Sequence, residues 1–286
     1  MTAFKPLDVL FNPASIAVVG ASSNPMKLGG RPIAYMQKQG YRGTIYPVNP
    51  KATEIQGLPA YPSLSAIGQP VDLAIIAAPA ALVEDTIREG IAAGVKSFVV
   101  FSSGFAELSA EGAAIQSRLR AMCEDAGVLL LGPNCLGAID IRNRVIASFT
   151  TAMEEHELIE GGFAFVSQSG ALGAYWLDMV FQRGIGVSSW IATGNEAGVT
   201  VADAIHHLAH DPATWVIGCY IEDIKDGPAF REAARAAIAA GKPILLIKAG
   251  RSQTGAAAAA SHTGALAGED ARYQALFEQI GILRVN

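Results

Sequence analysis

Two doubly wound α/β domains, each built on a mainly parallel sheet, are what this sequence predicts. Short β-branched runs alternate with alanine-rich helical stretches along the 286 residues, the pattern of repeated strand–helix units. The 30 glycines include several placed where a helix must stop. A hydrophobic content of 51% against 16% charged residues supplies enough apolar side chain for two cores.

The first domain is expected over 1–141, with strands at Ser15–Gly20, Gly43–Val48, Asp72–Ala77, Lys96–Phe101 and Val128–Leu131. Helices are expected near Arg31–Gln39, Ala80–Ala93 and Ser109–Ala126, stopped by Gly40, Gly94 and Gly127. Between Gly57 and Pro70 three prolines predict a loop with at most one short helix. The polar stretch 142–160, with Arg142-Asn143-Arg144 and Met153-Glu154-Glu155-His156-Glu157, reads as a connection. A second domain follows over 161–286, with strands at Phe163–Ser167, Gly186–Ile191, Trp215–Ile221 and Pro243–Lys248, and an edge at Ile282–Val285. Its helices are expected near Ala171–Arg183, Val199–His210, Pro228–Ala240 and Glu269–Ile280.

Composition also excludes. A net charge of −5 without a basic run argues against nucleic acid as a partner. The longest apolar run, Leu73–Val83, contains Pro79 and is too short to span a bilayer, and the N-terminus lacks a signal-peptide core. Cys123, Cys135 and Cys219 form no C-x-x-C pair, so a reducing, cytoplasmic location is expected.

Four segments carry the chemistry. Strand Ile16–Val19 runs into Gly20-Ala21-Ser22-Ser23-Asn24, with Lys27, Gly29 and Gly30 before a helix, where small residues let backbone amides cradle a phosphate. The G-x-G-x-x-G fingerprint is absent, and the second strand ends in Asn49-Pro50-Lys51, where a dinucleotide site normally carries an acid for the ribose. A lysine suits a ribose 3′-phosphate, so coenzyme A is expected rather than NAD. Val166-Ser167-Gln168-Ser169-Gly170 ends a strand and opens a helix, another anion site, though Ser169 would also serve as a plain N-cap. It is not the G-x-S-x-G of a serine hydrolase, because Ser167 stands at the first glycine position. Thr193-Gly194-Asn195-Glu196 forms a second small-residue loop. Near the end, Ala260-Ser261-His262-Thr263-Gly264 leaves an imidazole open among tiny neighbours. His206, His207 and His210 have helical spacing suited to a metal, but no further ligand is evident and a solvated helix face is expected. Cys135 has no histidine near it in sequence and is not expected to be catalytic.

In order and spacing, these segments together with Gly132-Pro133-Asn134-Cys135-Leu136-Gly137 resemble the alpha part of the nucleoside-diphosphate-forming acyl-CoA synthetases, over essentially the whole chain. That group includes the succinyl-CoA synthetase alpha subunit and the ADP-forming acetyl-CoA synthetases. The resemblance implies a Rossmann-like CoA-binding domain followed by a flavodoxin-like domain. It implies CoA contacts at Gly20, Ser22, Lys27, Val48, Asn49, Pro50, Ala78, Pro79, Ser102, Gly104 and Asn134, with Lys51 or Lys27 on the 3′-phosphate. Ser102–Glu107 would wall the pantetheine. His262 would carry a phosphoryl group, Glu222 would orient its ring with Asp223 as competitor, and Ser167, Ser169, Gly170, Thr193, Gly194 and Asn195 would surround the phosphate. ADP or ATP with Mg²⁺ would sit on an ATP-grasp module that this sequence does not contain, supplied by a beta subunit or a covalently attached domain. A homo-oligomer is compatible with the same reading. The alternative is a CoA- or acyl-CoA-sensing regulatory module, as in some protein lysine acetyltransferases, which would need neither His262 nor Glu222.

Overall fold

The computed structural model describes residues 3–250 and 270–285. After a short helix α1 (Asp8–Phe11), the first half runs β1 (Ser15–Val19), α2 (Arg31–Gln39), β2 (Thr44–Val48), the small hairpin β3 (Glu54–Ile55) and β4 (Leu58–Pro59), then β5 (Leu73–Ile76), α3 (Ala80–Ala92), β6 (Ser97–Val100), α4 (Ala110–Ala126) and β7 (Leu129–Leu131). Five strands form a wholly parallel sheet in the order β2-β1-β5-β6-β7. Every residue of β5, β6 and β7 is buried, as strands covered on both faces require. Gly40 and Gly127 end α2 and α4 in the left-handed conformation, and the Ser109 hydroxyl caps α4 by accepting from the Gly112 amide. The proline-rich loop holds a single 3₁₀ turn at Ser65–Ile67.

The second half runs β8 (Gly137–Asp140), β9 (Val145–Ser148), α5 (Ala152–Glu155), β10 (Glu160–Ser167), α6 (Gly170–Gln182), β11 (Val187–Ala192), α7 (Val201–His210), β12 (Val216–Ile221), α8 (Gly227–Ala239), β13 (Ile244–Lys248), α9 (Asp270–Ile280) and β14 (Leu283–Arg284). Its sheet has the order β14-β13-β12-β10-β11-β8-β9, parallel except for the β8–β9 hairpin, which runs antiparallel to β11. That hairpin straddles the boundary expected at 141 and 142. Sheet membership changes at Gly137, and β9 is a fully buried strand inside the stretch read as a connection. Ile139, Ile141, Val145 and Ile146 bury their side chains, and the Asp140 carboxylate closes the turn by accepting from the Asn143 amide at 2.7 Å.

One apolar core runs from Leu7, Ile16 and Ile33 through Ile139 and Ile146 to Trp190, Ile217 and Phe277, joining both sheets. A second lies on the other face of the first sheet, around Ile76, Phe98 and Leu119. On α7, His210 is exposed as expected, whereas His206 and His207 are partly covered. Phe4 and Phe11 of the N-terminal segment fold back and stack on His206 and His207, at centroid distances of 3.9 and 4.8 Å. No cluster of three or more metal-ligating side chains occurs among the described residues. No helix among them is long and apolar enough to cross a membrane.

Candidate active site

The first sheet reverses strand order between β1 and β5, the crevice where open α/β sheets receive ligands. Gly20, leaving β1, has φ +80°, and a Cβ there would strike the Ala77 carbonyl beyond β5. The following loop is closed on itself: a side chain at Gly29 would meet the Gly20 carbonyl, and one at Gly30 the Asn24 carbonyl. Val48 O accepts from the Gly20 and Ala21 amides at 3.1 and 3.2 Å. Ser22 Oγ accepts from the Asn24 amide at 3.1 Å, so its hydroxyl shapes the turn. Asn49 Nδ2 donates to Ala21 O at 2.8 Å, while its Oδ1 accepts from the Lys51 amide at 2.9 Å. Gln56, which the sequence did not single out, donates to Ser22 O and Gly30 O at 2.8 and 3.0 Å. Lys27, Pro50 and Lys51 project into solvent around this rim. Farther along the strand ends, Ser102 Oγ donates to Ala78 O at 2.5 Å, Pro79 starts α3, and the exposed Asn134 donates its amide to Ser102 O at 2.9 Å.

The second sheet changes direction at β10, flanked by β12 and β11. Ser167 ends β10 fully buried, its hydroxyl donating to Ser169 O at 2.6 Å. Ser169 caps α6, its Oγ accepting from the Leu172 amide at 3.4 Å. Thr193 is also fully buried, and its hydroxyl donates to the Glu196 carboxylate at 3.0 Å. The hydroxyls of Ser167 and Thr193 therefore face the protein, while Ser169, Gly170 and Gly194 remain half-exposed. Glu222 follows β12 directly. Its amide donates to Gln168 Oε1 at 2.6 Å, and its carbonyl accepts from Lys248 Nζ at 2.8 Å. Lys248 thus meets the Glu222 backbone and also lies over the Tyr273 ring, 4.5 Å from its centroid. Asp223 is held by Tyr273 Oη at 3.2 Å. His262 lies outside the described residues.

The two sets of strand ends meet through two loops. Asn195 donates its amide to Pro133 O at 2.9 Å, Ala197 to Gly132 O at 2.9 Å and Val199 to Leu130 O at 2.8 Å. A side chain at Gly194 would press on the Asn134 carbonyl. The structure therefore brings Ser102, Gly104 and Asn134 of the first sheet beside Gly194 and Asn195 of the second.

Burial sets the electrostatics. Burial raises the pKa of Glu196 above the usual glutamate value, opposed by nearby Lys225 and by bonds from Gln168, Thr193 and the Val201 amide. It lowers that of Lys248, opposed by Asp223. The Cys135 thiol is pushed up to about 12, chiefly by burial, as an inert core cysteine should be.

Residues 14–140 match the family model described as a CoA binding domain, and residues 160–286 that of the succinyl-CoA ligase like flavodoxin domain. Fold and site thus define a CoA-binding module followed by a succinyl-CoA-ligase-like one. The chain belongs to the nucleoside-diphosphate-forming acyl-CoA synthetase family, within its alpha part. It is similar to the acetate–CoA ligase (ADP-forming) II subunit alpha of Pyrococcus furiosus, at 41% identity over 98% of this chain and 60% of that protein. Similarity to the acetate–CoA ligase (ADP-forming) I of Archaeoglobus fulgidus is 40%, over 98% of this chain and 40% of that one. Among solved structures, the dinucleotide forming acetyl-coenzyme A synthetase 1 of Ca. Korarchaeum cryptofilum, in complex with phosphate and ADP, superposes with a TM-score of 0.92 at 39% identity. That match covers 98% of this chain and 60% of the other. The chain therefore spans 40% to 60% of the length of these relatives.

Proposed function

We propose that this chain binds CoA and carries the phosphoryl group in an acyl-CoA synthetase that interconverts acyl-CoA, phosphate and nucleoside diphosphate with acid, CoA and nucleoside triphosphate. The observation that supports it best is the opposition of the two strand-end loop sets: Asn195, Ala197 and Val199 of the second sheet are bonded to Pro133, Gly132 and Leu130 of the first, and Glu222 is tied through its amide to Gln168 just before α6. CoA occupies the rim from Gly20 to Asn134, with Lys51 or Lys27 on its 3′-phosphate. Phosphate attacks the thioester carbonyl, the C–S bond breaks, and the acyl phosphate passes its phosphoryl group to His262. A neutral imidazole is available near pH 7, and Glu222 fixes its tautomer from the far nitrogen. The amides that follow Ser169 at the start of α6 supply positive dipole where charge gathers. The phosphohistidine then serves an ATP-grasp module, on a beta subunit or an attached domain, where ADP or ATP is held with Mg²⁺. A cytoplasmic enzyme acting on an acyl-CoA is the setting this implies.

Labelling tests the reading. Offered labelled acyl phosphate, or acyl-CoA with labelled phosphate, the chain should gain one acid-labile, base-stable phosphoryl group. His262→Ala should abolish it. Glu222→Gln should slow it roughly tenfold to a hundredfold, the kinetic equivalent of losing a charge-assisted hydrogen bond of about 1.5–3 kcal/mol. Label on a serine, or label persisting in His262→Ala, would sink the assignment.

A further inference from the structure

One carboxylate joins the pantetheine wall of the first unit to the loop of the second. Glu107 Oε1 accepts from the Gly104 amide at 2.5 Å and from the Phe105 amide at 3.2 Å. Its Oε2 accepts from the same Phe105 amide and, across the junction, from Asn195 Nδ2 at 2.5 Å. Burial pushes its pKa up, but the bonds from the Gly104 amide and the Asn195 side chain outweigh it and leave the net shift downward, so the group is charged at neutral pH. Asn195 has no polar atom to spare. Its amide donates to Pro133 O, Nδ2 also reaches Gln116 Oε1 at 2.9 Å, Oδ1 accepts from Asn134 Nδ2 at 3.2 Å, and its carbonyl accepts from Lys225 Nζ at 2.6 Å. Its bonds to Pro133, Asn134, Glu107 and Gln116 all cross from the second unit to the first and hold the two in register.

We propose that Glu107, acting through Asn195, is a positioning residue for thioester phosphorolysis. It holds the Ser102–Gly104 wall against the Thr193–Gly198 loop so that the thioester carbonyl meets phosphate. This rests on the function proposed above. Only one step needs both units at once: the attack in which a phosphate oxygen bonds to the acyl carbon, the C–S bond breaks, and CoA leaves as a thiolate that takes a proton from water. Transfer from acyl phosphate to the His262 ring breaks the bridging P–O bond, releases the carboxylate and uses the second unit alone.

The two donors separate these steps. In Glu107→Gln one oxygen must serve both the loop amides and Asn195, so labelling from acetyl-CoA plus labelled phosphate should fall about tenfold or more. Labelling from acetyl phosphate should stay within about twofold, since that transfer does not use the wall that Glu107 braces, and the acetyl-CoA reaction is compared at saturating donor so that a change in affinity at the wall does not enter. Adding Asn195→Asp to Glu107→Gln restores a donor–acceptor pair of reversed polarity, the introduced amide donating to the introduced carboxylate. The double variant should therefore recover most of the acetyl-CoA reaction, whereas Asn195→Asp alone sets two carboxylates together and should lose it. An equal fall with both donors, no fall with either, or a double variant no better than the singles would overturn the positioning role. Wild-type protein that labels from neither donor would instead overturn the functional reading beneath it.

Discussion

Residues 20–30 shape the first cradle by side chains that are missing, whereas residues 167–170 and 193–198 shape the second by side chains that are present and buried. Gly20, Gly29 and Gly30 let backbone approach backbone where any Cβ would collide, and the charged groups of that rim, Lys27 and Lys51, stand in water. In the second, Gln168, Thr193 and Glu196 reach beneath the loops and tie their backbones from below. Under the function proposed above, the first crevice admits a large nucleotide past a rim built without side chains, and the second receives a small anion among dipoles that buried polar side chains fix in advance.

Substitutions that put a side chain into the first cradle, or remove one from beneath the second, should break this contrast. The largest effect is expected at Gly29→Val, where overpacking against the Gly20 carbonyl should cost about 2–3 kcal/mol. Thermal melting should fall by roughly 3–5 °C for a chain of this size. Gly227→Ala, which meets open space at the start of α8, should stay within about 0.5 kcal/mol. Equal melting of the two variants would remove the close-packing account.

Glu196→Ala comes next. It leaves the Val201 amide without its acceptor and Thr193 Oγ1 with only the longer contact to Ser167 O at 3.4 Å, a cost of about 1–3 kcal/mol. The raised pKa of Glu196 gives a sharper test through pH. The folded state holds this proton more tightly than the unfolded chain, so stability falls as pH rises from the usual value of 4.5 through the raised one. Asp140, raised to about 6 mainly by burial, contributes with the same sign, so the difference between wild type and Glu196→Gln isolates one group. That difference should change across this window and be flat outside it. Parallel stability–pH curves would mean that Glu196 titrates normally.

Smallest is the rim charge. Exposed ion pairs are worth about 0.2–1 kcal/mol, so Lys51→Ala should shrink the preference for CoA over dephospho-CoA by roughly twofold to fivefold. Calorimetry with both ligands reads this directly. An unchanged ratio passes the role to Lys27, and equal binding of the two ligands by wild type removes the 3′-phosphate contact altogether.

Most of the fold was legible because parallel strands announce themselves: Leu73–Ile76 and Phe98–Val100 are unbroken apolar runs, each followed by an alanine-rich helix. The β8–β9 hairpin was not. Each strand has four residues, Arg142-Asn143-Arg144 looks like a linker, and the partner strand β11 lies far along the chain. Site loops were legible as small-residue motifs, but what braces them was not. Glu196 looked like one polar residue in a turn, and only the packing of that loop against α7 and Gln168 reveals a buried carboxylate. Asn195 was chosen as a member of a small-residue loop around the phosphate, and only three dimensions show its backbone amide on Pro133 and its side-chain amide on Glu107 and Gln116. His206 and His207 were misread for a similar reason, since their partners Phe4 and Phe11 sit at the other end of the chain.

The hairpin also sets an order of events during synthesis. Gly137–Ser148 emerges from the ribosome directly after the first sheet is complete, yet the strand it pairs with, Val187–Ala192, has not been made. At ribosomal rates two apolar strands therefore wait about 2–8 seconds without a sheet to join. They can be sheltered meanwhile only by surfaces already present, α2 and the N-terminal segment, to which Asn143 is bonded through the Phe11 carbonyl. A ribosome pausing within β10 or α6 would prolong that wait, whereas one pausing after β11 would not.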